Sequence, residues 1–119
     1  MFDYSNLINL TPHAIDILEK HDENTYTSIY SIPSSGTLAR LSQKTVRIGR
    51  IGDIPISTTK FGEINGLPEY DGVKKYIVSY PIAKRLKDIG SLRDDIFITN
   101  ESVRDSEGKI IGCLSLAVV

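Results

Sequence analysis

The sequence predicts a β-rich α+β fold: a curled antiparallel or mixed sheet, or partial barrel, with one covering helix at about residues 81–89. A plain sandwich is the alternative arrangement. Three observations carry this reading. Runs of β-branched and aromatic residues recur with turn signals between them, which gives about eight short strands. One segment alone, from Pro81 to Ile89, has helical spacing. The whole chain is 119 residues at 40% hydrophobic content, enough for one core and one domain, 1–119.

The elements follow in order. An apolar segment at 7–10 is interrupted by Thr11-Pro12-His13, where proline cannot donate to a ladder. Residues 14–18 alternate as a strand. The polar stretch 20–25 makes a hairpin tip, and 26–32 (YTSIYSI) returns as a strand. Pro33-Ser34-Ser35-Gly36 is a turn, with φ preset by proline and positive φ open to glycine. Strand resumes at Leu38-Ala39-Arg40-Leu41. At 45–51 apolar residues alternate with Arg47 and Arg50, and after a Gly52-Asp53 turn 54–59 follows, with Pro55 marking an edge or a strand start. Residues 61–68 carry enough Gly, Asn and Pro to read as irregular or as short strands. Residues 75–80 are the best central strand. Ser79 sits near the N-cap of the helix, Pro81 in its first turn, and Gly90 at its end. Ile82, Ala83, Leu86 and Ile89 form its apolar stripe. Residues 95–99 form a strand, and Ser106-Glu107-Gly108 turns the last hairpin.

Charge and cysteine content exclude several classes. Fourteen Lys and Arg stand against fifteen Asp and Glu, a net charge of -1, so the basic excess of a dedicated duplex-DNA binder is missing. No apolar run reaches the ~20 residues that cross a bilayer, and the stretch from Met1 to Asn6 has no basic n-region of a leader. The single Cys113 permits no intrachain disulfide, and a reducing cytoplasm is the expected compartment. Two histidines and one cysteine without ligand spacing argue against zinc, and no cofactor is expected.

The series Asn9-Leu10-Thr11-Pro12-His13, Pro33-Ser34-Ser35-Gly36, Ala39-Arg40, Phe61-Gly62-Glu63, Gly66-Leu67-Pro68, Tyr76-Ile77-Val78-Ser79, Arg93-Asp94-Asp95, Val103-Arg104-Asp105 and Gly112-Cys113 resembles a family of small proteins from bacteriophages, prophages and actinobacteria. The resemblance spans roughly residues 7–116. It implies a virus-associated accessory protein, in the host cytoplasm if phage-encoded, and it brings no established chemistry.

Candidate site residues come from the two Arg-Asp pairs. Arg93 and Arg104 each precede aspartate in a turn-prone setting. In one reading the pairs only fix turns. In the other they receive an anion, with bidentate arginine on phosphate or carboxylate. Arg93, Arg104, Asp105, Tyr80 and Arg40 are then the ligand-binding candidates, Asp105 orienting an arginine or a ribose hydroxyl and Tyr80 stacking on a base. No catalytic residue is expected. His13 reads as a turn residue, Cys113 as a buried small hydrophobe, and Ser34-Ser35-Gly36 as a turn more than a phosphate cradle. The function expected is therefore a non-enzymatic phage-associated binding protein. Its ligand would be a small anionic, nucleotide-type host immune signal. A protein-interaction or virion accessory is the alternative, and a small hydrolase or lyase the last choice. Homo-oligomerisation suits all three, since a chain this small buries a ligand best between subunits.

Overall fold

A computed structural model describes residues 2–119; Met1, the first residue of the stretch read for a leader, lies outside the described residues. Among the described residues there are eight strands and one α-helix; the fold is β-rich, with a mixed, curled sheet that makes a half-barrel. The strands are β1 (Leu7–Asn9), β2 (Ile15–Asp22), β3 (Thr25–Ile32), β4 (Arg40–Ile51), β5 (Ile54–Asn65), β6 (Lys75–Ile77), β7 (Ile96–Arg104) and β8 (Ile110–Ala117), with helix α1 at Tyr80–Asp88. Six strands are ordered β1-β6-β7-β8-β2-β3, and β4 pairs only with β5.

Connection chemistry explains this order. β6 and β7 are parallel, with Tyr76 opposite Ile96, so a crossover must join them, and α1 is that crossover. Ser79 caps the helix by backbone geometry alone, without a side-chain bond, and Pro81 lies in the first turn. Ile82, Ala83 and Leu86 are buried against Leu10, Tyr76, Val78 and Ile96. Ile89, read as the fourth stripe residue, is instead the C-cap and half exposed, because the helix ends one residue before its side chain would turn inward.

The barrel closes at its edges. Asn9, at the end of β1, bridges to Ser34 just beyond β3, and the Asn9 side chain, 1% exposed, reaches across the seam. Its Nδ2 donates to the His13 carbonyl at 2.8 Å and the Ile32 carbonyl at 3.2 Å. Its Oδ1 accepts from the Thr11 N–H at 2.9 Å and the Thr11 hydroxyl at 2.6 Å. All four capacities of the carboxamide are used. On the other side, β2 touches β8 at one parallel pair, Ile17 with Cys113. Gly112 allows this approach, since a Cβ there would stand 2.6 Å from the Asp16 carbonyl oxygen.

The largest departure from expectation is the β4–β5 hairpin. Residues 61–65, read as irregular or as short strands, continue β5, with Leu41 opposite Ile64 and Gln43 opposite Phe61 across a bulge. The bulge places Gly62 against Ser42 and absorbs the glycine that looked like a breaker. Two twelve-residue strands make a ribbon about 40 Å long at ~3.3 Å per residue. Only its base, Leu41 and Ile64, packs on the core. The radius of gyration, 17.6 Å, exceeds the roughly 13–14 Å of a compact chain of this length. The arm accounts for that excess.

Replacing Asn9 with alanine should destabilise the protein by about 3 kcal/mol, because it orphans buried backbone partners as well as deleting bonds. Urea unfolding of Asn9→Ala checks this; a loss under ~1 kcal/mol would show the seam closing without the carboxamide.

Candidate functional site

The structure separates the candidate residues. Arg93 precedes β7 and Arg104 ends it, so they lie roughly 25 Å apart along a nine-residue strand and cannot share a small ligand. Arg93 forms a fork with Asp95, Nε to Oδ1 at 2.9 Å and Nη2 to Oδ2 at 3.1 Å, and its guanidinium stands 5.9 Å from the Tyr76 ring centre. Asp95 is wholly buried, and Asp94, the adjacent carboxylate, is exposed. The arginine therefore pairs two residues along the chain, because Asp95 points into the protein and Asp94 away. Arg104 donates to the Gly108 carbonyl at 2.7 Å. Asp105 accepts from the N–H groups of Glu107 at 2.9 Å and Lys109 at 3.0 Å. That pair shapes the β7–β8 turn. Arg40 opens the arm opposite Asn65 and is exposed.

In Ser34-Ser35-Gly36 the Ser35 and Gly36 N–H groups and both serine hydroxyls are engaged within the protein. Ser35 N–H bonds the Asn9 carbonyl, Gly36 N–H the Ser34 hydroxyl, and Thr37 N–H the Ser35 hydroxyl. A cleft of about 350 Å³ between the starts of β2 and β8 is lined by His13, Asp16, Thr99, Ser102 and Cys113. Burial pushes the Cys113 thiol up, away from the thiolate a nucleophile needs. Among the described residues no three His, Cys, Asp or Glu side chains could hold a metal ion, and no helix is long and apolar enough to cross a membrane.

Tyr80 does stand at a cleft. It is exposed on the first turn of α1 and, with Phe61, Lys84, Arg85 and Asp88, lines a space of about 230 Å³ at the base of the arm. Lys84 is paired with Asp88 at 2.6 Å. The Arg85 guanidinium lies 6.0 Å from the Phe61 ring centre, and its Nε is buried without a hydrogen-bond partner.

The length of the arm is the feature that sequence reading missed. Cross-strand pairing sorts its side chains onto two faces. Thr45, Thr59, Arg47, Ser57, Arg50 and Pro55 share one face; Val46, Thr58, Ile56, Ile51 and Ile54 share the other, and Ile48 sits unpaired at a bulge between Arg47 and Gly49. That second face is mostly aliphatic over the outer half of the ribbon, yet Ile51 is 69% exposed and Ile54 64%, and the bulge residue Ile48 is 64% exposed. Covering these three side chains would contribute on the order of 5 kcal/mol by apolar-area bookkeeping. A two-stranded ribbon is marginal alone in water, and an apolar patch of this kind marks an interaction surface. The signal was present as alternation at 45–51 and 54–59, but the length was hidden by Gly62 and Asn65.

Charge is sorted as well. The arm carries Arg40, Lys44, Arg47, Arg50 and Lys60 against Asp53 and Glu63, five minus two or +3. The total of -1 leaves -4 on the rest. The loop leaving the arm base, residues 66–74, exposes Tyr70 and Val73 beside Glu69 and Asp71. The negative charge of Asp94 nearby holds the Tyr70 phenol above its usual range.

Compared with known proteins, the chain matches no family model, no curated protein and no solved structure.

Arg93→Ala should cost about 3–5 kcal/mol, since it leaves a buried carboxylate unpaired, whereas Arg104→Ala should cost under ~1 kcal/mol at an exposed turn. Chemical denaturation of both variants checks the contrast. Equal losses would mean that burial of Asp95 does not set the strength of the Arg93 fork.

Proposed function

We propose that this protein is a phage-associated accessory that acts in the host cytoplasm by binding, not by turning over a substrate, and that the β4–β5 arm is its binding element. One observation carries the reading: an amphipathic ribbon whose aliphatic face has nothing packed on it. Such a face stays soluble at small cost while free and gains several kcal/mol when a partner covers it. Basic residues on the opposite face and flanks steer it toward an acidic partner surface. The Arg93 and Arg104 pairs then serve as supports for the body that presents the arm.

A second reading has its own support. The cleft beside Tyr80 brings two aromatic rings, Tyr80 and Phe61, near Lys84 and Arg85, the chemistry that holds a small anionic ring-bearing ligand of the nucleotide type. In that reading, calorimetric titration with mono- and cyclic nucleotides gives saturable heat that Tyr80→Ala and Arg85→Ala each reduce at least tenfold in affinity. No heat from any nucleotide dismisses it.

Hydrogen exchange tests the arm directly. The amides of residues 44–60 should exchange rapidly in dilute protein and become protected when a partner is present, either in concentrated protein or in extract of the infected host. Ile51→Asp/Ile54→Asp should abolish the protection while the amides of β6 and β7 stay slow. An arm equally unprotected under every condition contradicts the reading.

A further inference from the structure

We propose that the cleft at the base of the arm takes a small monoanion carrying one aromatic ring, and that this ligand fastens the arm to helix α1. The proposal rests on the second reading above, that this cleft is a ligand site, and names the class of ligand and what its binding does.

The cleft is a joint between two parts of the molecule. Tyr80, Pro81, Lys84, Arg85 and Asp88 fall at helical spacing on the face of α1 opposite to buried Ile82, Ala83 and Leu86. Leu41 of β4 and Phe61 of β5 stand across from them. One wall therefore belongs to the body and the other to the arm. Leu41 joins the walls by packing on the core. Arg85 joins them by donating from Nη2 to the Phe61 carbonyl at 3.4 Å, close to the limit of a hydrogen bond.

Arg85 is the residue that asks for a ligand. Its Nε is buried without a partner, its bond to Phe61 is long, and its 6.0 Å from the Phe61 ring centre is the outer limit of a cation–π contact. Arg93, by contrast, gives both Nε and Nη2 to Asp95. A guanidinium held as loosely as that of Arg85 loses little by turning into the cleft, where one anionic group can take Nε and an Nη together.

Charge and size set the ligand class. Lys84 is neutralised by Asp88 at 2.6 Å, and among the described residues Arg85 belongs to no ion pair. One free cation balances one negative charge and leaves a polyphosphate uncompensated. Tyr80 and Phe61 offer aromatic rings, and Leu41 and Pro81 add apolar wall. The space of about 230 Å³ is below the roughly 300–1,000 Å³ of pockets that enclose drug-sized molecules. One ring with a short anionic tail fits; a dinucleotide does not. A ligand seated there touches both walls and so ties the arm's base to the body.

Calorimetry and hydrogen exchange on the full chain, with 3-phenylpropanoate as the probe, test the proposal. The probe should bind saturably. Its neutral amide, its cyclohexyl analogue and acetate should each bind at least tenfold more weakly. Arg85→Ala and Tyr80→Ala should each cost at least tenfold in affinity, and Arg85→Lys, which keeps the charge but not the fork, should restore only part, with circular dichroism and melting temperature unchanged. In saturated protein the amides of residues 40–43 and 61–65 should exchange at least tenfold more slowly, while those of β6 and β7 keep their rates. Binding that leaves the arm-base amides as they were overturns the proposal, as does affinity indifferent to Arg85→Ala. Nucleotides that bind where phenylpropanoate does not refute the ligand class while the cleft stands as a site. No heat from phenylpropanoate or from any nucleotide removes the cleft reading and this proposal with it.

Discussion

The carboxamide of Asn9 uses its full hydrogen-bonding capacity inside the protein, and the two edges of the sheet meet where it does so. It ties the end of β1 to the carbonyl of Ile32 at the end of β3 and fixes the Thr11-Pro12-His13 turn between them. Ser34 adds a bond from its hydroxyl to the Thr11 carbonyl at 2.7 Å. Edge strands left open invite unplanned pairing, and a buried polar knot that accepts one register closes them specifically. The segment after this seam, residues 35–39, leads directly into the arm. Ala39 donates its N–H to the Leu10 carbonyl at 3.0 Å, so the direction in which β4 leaves the body is set by the same knot.

The body and the arm follow opposite rules. In the body, the buried charge of Asp95 is matched by a forked arginine, and Tyr76 and Ile77 of β6, with Val78 just beyond it, are buried on both faces, as parallel neighbours on either side demand. In the arm, Val46, Ile51, Ile54 and Ile56 line one face with little to pack on. A sequence that satisfies burial so fully at Tyr76 and Ile77 and leaves Ile48, Ile51 and Ile54 in water has not run out of core. It has placed apolar surface away from the core, where a partner can reach it.

Much of the fold was legible because local signals agreed. The strand read at 75–80, which ends at Ile77 with Tyr80 already in the helix, the covering helix and the hairpin at Ser106-Glu107-Gly108 each joined a periodicity to its own stop signal. The arm was half legible: alternation at 45–51 and 54–59 was visible, but Gly62 and Asn65 resembled a break because a bulge leaves no trace in composition. The candidate ligand residues were legible as turn chemistry only. Nothing in the spacing of Arg93 and Arg104 tells that the length of β7 lies between them. Nothing in Arg93-Asp94-Asp95 tells which carboxylate points inward. Tyr80 was located at the mouth of a cleft, but its neighbours Phe61 and Arg85 come from segments 19 residues before it and one turn after it, a meeting only the fold creates.

The central claim is that the arm's aliphatic face is a binding surface that a partner covers. Methyl nuclear magnetic resonance of isoleucine-labelled protein addresses it most directly. In extract of the infected host the methyl signals of Ile51 and Ile54 should move, while those of Ile77 and Ile96 in the core keep their shifts. Arm methyls that keep free-ribbon shifts under every condition would contradict the account.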